Sequence, residues 1–172
     1  MSSLALLIVR LVLGVIFIYH GSQKVFGWFG GSGTSGMAKS LANQGSAFPS
    51  LLAWMAALSE FLGGLFVFVG LLTPFAAAFI ISAMIVAIVT VHFKKGFANG
   101  KGGYEFNLSL IALALVLVLL GAGSYSIDAL IGLAQPLNQF PIWVAVILVL
   151  IAAGGIVTTE LSKSLHPQTH QA

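Results

Sequence analysis

A single carboxylate, Glu60, lies near the centre of an apolar run from Pro49 to Leu72. At about 100° per residue, a helical arc of about 120° joins Glu60 to a set of small residues: Ala53, Ala56, Ala57, Gly63 and Gly64. Helices in lipid associate through such small-residue faces, so we expect Glu60 to face other helices. There it either exchanges protons with a ligand or hydrogen-bonds two helices together as a structural group, and both interpretations stay open.

Other ionisable side chains are predicted to gather near Glu60. His20 and Lys24 lie at the end of the first apolar run, on one face of about 80° that also contains Arg10. His92 closes the third run, and Tyr104 and Glu105 open the fourth. Because consecutive spans are antiparallel, these positions meet at one end of the bundle, whereas Arg10 falls on the other side. Such a cluster is tolerable in a membrane mainly if its members satisfy one another or line a wet cavity.

The predicted catalytic, proton-exchanging residues are Glu60 and His20. The predicted ligand-binding or polar-cluster residues are Lys24, His92, Tyr104, Glu105 and Arg10. Two simpler interpretations stay open: His20 as a packing or hydrogen-bonding residue, and Glu105 as a helix-capping carboxylate. The sequence contains no cysteine, so we expect no thiol chemistry, no cysteine-ligated cluster and no metal site. A redox role would need a borrowed cofactor or substrate, and a quinone is the candidate.

The composition defines the elements that must position these groups. Of the 172 residues, 59% are hydrophobic and only 6% are charged, which is typical of an integral membrane protein. Apolar runs of about 20 residues predict an all-α transmembrane bundle rather than a barrel of short alternating strands. Five spans are predicted, at about 4–26, 49–72, 75–93, 104–121 and 141–157.

The predicted organisation is a four-helix membrane domain over 4–132, an additional transmembrane helix over 141–159, and a polar tail over 160–172. Thr73 as N-cap and Pro74 in the first helical turn predict a tight hairpin between the second and third spans. Short surface helices are expected at 37–43 and at 129–134, the latter capped by Ser126 or Asp128.

Charge predicts the orientation. The net charge of +3 comes from a few loop lysines, so it indicates topology rather than nucleic-acid binding. Six lysines fall on the side opposite Arg10, which predicts that this side is cytoplasmic and that the N-terminus is outside: Lys24, Lys39, Lys94, Lys95, Lys101 and Lys163.

Several segments resemble the DoxX family of bacterial membrane proteins. They are GVIFIYHGSQKVFGWF at 14–29, AALSEFLGGLFVFVGLLTP at 56–74, VTVHFKKGF at 89–97, GGYE at 102–105, and the segment 121–128. The resemblance covers about 4–132, and Ala122 and Ser124 depart from the proline and basic residue often found there. It implies a multi-pass protein of the bacterial inner (plasma) membrane that is associated with redox chemistry. Relatives include a membrane subunit of a thiosulfate:quinone oxidoreductase and a mycobacterial membrane partner of a sulfurtransferase and a superoxide dismutase.

Two functions stay open from the sequence. In the first, the chain is a redox subunit in which Glu60 and His20 exchange protons with a quinone while partners bring electrons. In the second, it is a non-catalytic scaffold that docks soluble redox or detoxification enzymes on its basic loops. A solute transporter is disfavoured because no inverted repeat or broken helix is evident. The sequence is compatible with an oligomer and leaves open whether the chain is itself catalytic.

Overall fold

The computed structural model describes residues 2–43, 45–46, 48–134 and 155. The main helices are α1 (Ser2–Val25), α2 (Gly33–Asn43), α3 (Pro49–Val69), α4 (Thr73–Ala87), α5 (Glu105–Leu120) and α6 (Ile127–Leu130). Helix α4 continues through a wide π turn at Ile88–His92 and a 3-10 turn at Phe93–Lys95, and further 3-10 turns lie at Trp28–Gly30 and Asn99–Lys101. All regular structure in the described part of the chain is helical, which confirms the predicted all-α bundle.

In the part of the chain that the structure describes, three helices are long and apolar enough to cross a membrane: α1, α3 and the continuous helix Thr73–Lys95. Helix α5 is equally apolar but has 16 residues. At about 1.5 Å per residue it extends about 24 Å, somewhat less than a hydrocarbon core of about 30 Å. These four helices are the predicted four-helix unit. The predicted fifth helix at 141–159 and the tail at 160–172 lie outside the described residues.

Helices α1 and α3 pack closely along the small-residue face predicted from the sequence. The buried residues of α3 include Ala53, Ala57, Glu60, Gly63 and Gly64, with Ala56 half-buried at the edge. A Cβ placed on Gly64 would lie 2.7 Å from Phe17 Cβ and 2.7 Å from the backbone nitrogen of Ile18. A larger residue would force the helices apart, and this close crossing holds Glu60 against α1.

The turn between α3 and α4 corrects one prediction. Helix α4 begins at Thr73, so the N-cap position is Leu72 and not Thr73, although Pro74 lies in the first turn as predicted. Leu72 has φ 46° and cannot cap with its side chain. The carboxylate of Asp128 caps the helix instead, accepting from the backbone N–H groups of Leu72 at 2.7 Å and Thr73 at 2.9 Å. A distant acceptor therefore replaces the local one.

The helix predicted at 129–134 is present as the shorter α6. Its N-cap is Ser126, whose hydroxyl accepts from the backbone N–H of Ala129 at 3.1 Å, so the first of the two predicted caps is confirmed. Asp128, the alternative cap, is 1% exposed and serves α4. Helix α2 is also present and begins earlier than predicted, at Gly33.

Candidate functional site

A cavity of about 210 Å³ lies inside the bundle at the end where α1 and α4 finish and α5 begins. We call it the polar cavity. Its walls include apolar side chains from α1, α4 and α5, and its polar lining consists of His20, Lys24, Glu60, His92, Asn99 and Asn107. Helices α1, α3, α4 and α5 and the loop before α5 each contribute a polar group. Residues far apart in the sequence therefore meet at this one place.

The central contact is an ion pair between α1 and α3. Lys24 Nζ donates to Glu60 Oε1, and the two side chains are 33% and 3% exposed. The small neighbours of Glu60 on α3 let α1 approach, and the long stem of Lys24 reaches back from the end of α1. A carboxylate buried among apolar helices needs such a partner, because an unpaired buried charge costs several kcal/mol.

Each of the two histidines in the cavity wall is held through Nδ1. His92 Nδ1 lies 2.7 Å from the carbonyl oxygen of Gly102, and His20 Nδ1 lies 3.3 Å from Gln23 Oε1. The π turn at the end of α4 contains His92. Such turns are frequent at functional sites because they change the direction of the side chains that follow.

Two of the predicted residues lie beside the polar cavity rather than in its wall. Glu105 is exposed, and its Oε2 accepts from the backbone N–H of Asn99 at 2.9 Å. Its carboxylate thus caps the turn Asn99–Lys101 in the preceding loop. The Tyr104 ring stacks on Phe93 at 6.0 Å between centroids and meets Phe97 edge-on at 5.6 Å. Both side chains hold the loop that supplies Asn99 to the cavity.

Arg10 lies at the opposite end of the bundle, about 15 Å along α1 from His20. It is 1% exposed, its Nη1 donates to the carbonyl oxygen of Phe68 at 3.3 Å, and its Nη2 donates to that of Tyr125. Together with Asp128 it forms what we call the Arg10–Asp128 clasp. This clasp joins α1, the turn between α3 and α4, and the segment before α6. Arg10 lies on the same helical face as His20 and Lys24, but it does not line the polar cavity.

Sequence reasoning missed three side chains at the polar cavity. Asn107 is 7% exposed and its Nδ2 donates to Met84 Sδ at 3.3 Å. A polar residue at the start of an otherwise apolar run was the available signal for it. Asn99 comes from a glycine-rich loop, and Gln23 acts through His20, so neither has a distinguishing pattern. Within the described residues, no group of three or more His, Asp or Glu side chains could hold a metal ion.

Several known proteins are similar to this chain. The DoxX family model matches residues 5–93, a segment that contains His20, Lys24, Glu60 and His92. The protein named "Putative oxidoreductase CatD" of Bacillus subtilis (strain 168) is 32% identical over 71% of this chain and 83% of its own length. No solved structure shows significant similarity.

Two proteins of Escherichia coli (strain K12) are also similar. Inner membrane protein YphA is 30% identical over 72% of this chain and 87% of its own length. Inner membrane protein YqjF is 29% identical over 76% of this chain and 95% of its own length. With a membrane-spanning helical bundle and a family match over more than half of its residues, this chain belongs to the DoxX family of membrane proteins.

Proposed function

We infer that this chain is a redox-associated subunit of the bacterial inner membrane that holds a quinone head group in the polar cavity and exchanges protons with it. The observation that carries this proposal is the Lys24–Glu60 ion pair, which lines a cavity and whose carboxylate is buried. The names of the relatives support it in part, since CatD is named for an oxidoreductase and YqjF and YphA for the inner membrane.

The energetics favour a functional ion pair over a purely structural one. Well-packed apolar residues usually stabilise a helix contact as well as a buried ion pair does, and in lipid the charged groups carry an additional cost. If the ion pair only joined two helices, we would also expect close-packed side chains around it and no cavity beside it. The Lys24–Glu60 pair instead lines an open volume, where both groups can contact a ligand.

The cavity suits a single ring. Its volume of about 210 Å³ is below the range of about 300 to 1,000 Å³ typical of pockets for larger ligands. Phe17 and Leu110 provide apolar walls, and Phe106 both lines the cavity and is 40% exposed, so an attached apolar tail can leave toward the lipid beside α5. The chain has no cysteine thiol to act as a redox group, and a bound quinone would supply an electron-accepting group in its place.

The proposed roles follow from position. Lys24 orients a ring oxygen, and Glu60 releases or accepts a proton as the ion pair opens and closes. His20 carries protons between the cavity and the aqueous side, because it lines the cavity near the end of α1 and is partly exposed. Electrons would come from a partner protein.

The test is retention of quinone by the purified protein. The full chain is extracted from bacterial membranes in mild detergent, and bound quinone is measured by organic extraction and mass spectrometry. We expect close to one quinone per chain in the wild type and a loss of at least fivefold in Glu60→Gln. Lys39→Gln is the control, because it removes an exposed charge on α2 that does not line the cavity. Wild type without quinone, or equal retention in both variants, would refute the proposal.

One observation favours the alternative, a scaffold that docks soluble redox enzymes. The loop after α4 carries Lys94, Lys95 and Lys101, all exposed, beside Phe93 and Phe97, which are 65% and 57% exposed. Exposed basic and aromatic side chains together suit an acidic protein surface. Replacing the three lysines with glutamine should then abolish binding of the redox partner while leaving quinone retention unchanged. The cavity variant Glu60→Gln should show the reverse.

A further inference from the structure

We propose that the polar cavity binds a hydroquinone, with two O–H donors, more tightly than the corresponding quinone, with two carbonyl acceptors. The proposal rests on the proposed function and extends it to the redox form that is bound. It depends on which hydrogen-bonding atoms of the cavity wall are already engaged within the protein and which are left for a ligand.

His92 leaves an acceptor. Its Nδ1 lies 2.7 Å from the carbonyl oxygen of Gly102, and a carbonyl oxygen can only accept a hydrogen bond. The Nδ1 atom of the neutral ring therefore carries the proton. The remaining nitrogen, Nε2, has a free lone pair. Because His92 lines the cavity, this lone pair is the group that the imidazole can offer to a ligand.

His20 leaves a second acceptor, through Gln23. The Gln23 Nε2 group donates to the carbonyl oxygen of Phe29 at 3.3 Å, which fixes the orientation of the amide. Gln23 Oε1 then faces His20 Nδ1 at 3.3 Å and accepts its proton. The neutral His20 ring is thus held in the same tautomer as His92, with Nε2 unprotonated. Gln23 is a positioning residue for this choice.

The other polar groups add to the excess of acceptors. Asn107 directs Nδ2 to Met84 Sδ at 3.3 Å, which leaves its carbonyl oxygen for a ligand. Lys24 keeps two N–H donors beyond the one it gives to Glu60, and the Asn99 amide can also donate. A hydroquinone oxygen accepts from such donors as a quinone carbonyl does, so they do not select between the two forms. The groups that distinguish the two forms are therefore acceptors not engaged within the protein, namely Nε2 of His20 and of His92 and Oδ1 of Asn107, on side chains that line the cavity. A hydroquinone can donate to two of them, whereas a quinone would place its carbonyl oxygens against them.

The expected preference is about tenfold. The hydroquinone gains a neutral hydrogen bond at an acceptor that the quinone leaves unpaired, and one such bond in a buried site changes an affinity by about this factor. A site built to accept hydrogen bonds from a ligand also discriminates strongly against an analogue without the hydrogens. The apolar walls contact both redox forms of the ring equally, so they do not select between them.

The test compares three ligands on the same detergent-purified full chain under anaerobic conditions. They are 2-decyl-1,4-benzohydroquinone, the corresponding benzoquinone, and the dimethyl ether of the hydroquinone, which keeps the shape without the O–H donors. Binding is measured by ultrafiltration and mass spectrometry, with protein-free micelles as the blank. We expect the hydroquinone to bind about tenfold more tightly than the other two. Tighter or equal binding of the quinone would overturn the inference and leave the proposed function standing. Binding of none of the three would refute both.

Variants locate the selectivity. His20→Leu and His92→Leu should each weaken hydroquinone binding severalfold and leave quinone binding unchanged. Gln23→Leu, which keeps both imidazoles, should lower the preference by releasing the His20 tautomer. Ser126→Ala, at the other end of the bundle, is the control and should change neither affinity. If the histidine variants lost both ligands equally, the imidazoles would not select the redox form. The comparison of ligands on the wild type decides the question even if a variant does not fold.

Discussion

The two ends of the bundle both bury charged side chains, but they use them differently. At one end, Lys24 and Glu60 pair beside a cavity of about 210 Å³. At the other, Arg10 and Asp128, each 1% exposed, are used by the backbone: Arg10 donates to carbonyl oxygens, and Asp128 accepts from N–H groups at the start of α4. The Lys24–Glu60 pair lines an open volume with polar walls, whereas the contacts of Arg10 and Asp128 go to backbone groups. Burial of charge alone therefore does not identify a functional site, whereas burial beside an open volume favours one.

The largest expected effect is on the Arg10–Asp128 clasp. Asp128→Ala would leave the backbone N–H groups of Leu72 and Thr73 without their acceptor and Arg10 without a nearby negative charge. We expect the free energy of unfolding to fall by roughly 3 kcal/mol, since two hydrogen bonds to a charged group are lost. Thermal unfolding in detergent measures it. Asp128→Asn keeps one acceptor oxygen and should lose clearly less. Quinone retention is then measured on the fraction of each variant that stays folded. If that fraction has lost quinone in proportion to its loss of stability, the two ends do not differ in function.

The next effect separates stability from binding at the polar cavity. Glu60→Leu alone leaves the Lys24 ammonium against apolar helices and should destabilise the chain by about 1 to 3 kcal/mol. The double variant Lys24→Met with Glu60→Leu removes both charges and should regain stability to within about 1 kcal/mol of the wild type. It should still bind no quinone. A double variant as unstable as the single one would make the ion pair structural, like the clasp.

A smaller effect tests whether the polar cavity acts as one unit. His20→Ala and Glu60→Ala are expected to be non-additive in unfolding free energy by about 0.5 to 1 kcal/mol, because both groups face the same cavity. His20→Ala combined with Ser126→Ala, which belongs to the other end, should be additive. Double-mutant cycles on melting curves in detergent measure both couplings. Strict additivity of His20→Ala and Glu60→Ala would mean that the residues of the cavity wall act independently, as separate structural residues.

The smallest perturbation tests which end faces the cytoplasm. Cysteine introduced at Asn99 in the basic loop should be shielded from an impermeant thiol reagent in intact cells, and cysteine at Ser124 should be labelled. The two positions lie at opposite ends, because Ser124 contacts Ser3 at the start of α1 while Asn99 lines the polar cavity. Neither substitution removes a charge, so little change in stability is expected. The reverse labelling pattern would invert the predicted orientation.

Much of the fold could be predicted because it depends on local patterns. Apolar length predicted the helices, and the small-residue face around Glu60 predicted the close approach of another helix, which the structure shows to be α1. Alternation of span direction predicted that Lys24 and His92 would lie at the same end of the bundle. The cap of α4 could not be predicted, because Asp128 lies far along the chain from Thr73 and no local spacing connects them. Asn99 was missed for a similar reason, since its place in the cavity depends on how Glu105 holds the loop.

The π turn at Ile88–His92 sets the rotational phase of everything after it in the chain. A π turn accommodates one residue more than an α turn before the backbone hydrogen bond closes. If the same residues formed a regular α-helix instead, each later residue would be rotated by about 100° around the axis. His92 would leave the cavity wall even though it was still present. The place of this imidazole thus depends on the width of one turn as well as on its position in the sequence, and a substitution that converts this turn to a regular α turn would displace the histidine without replacing it.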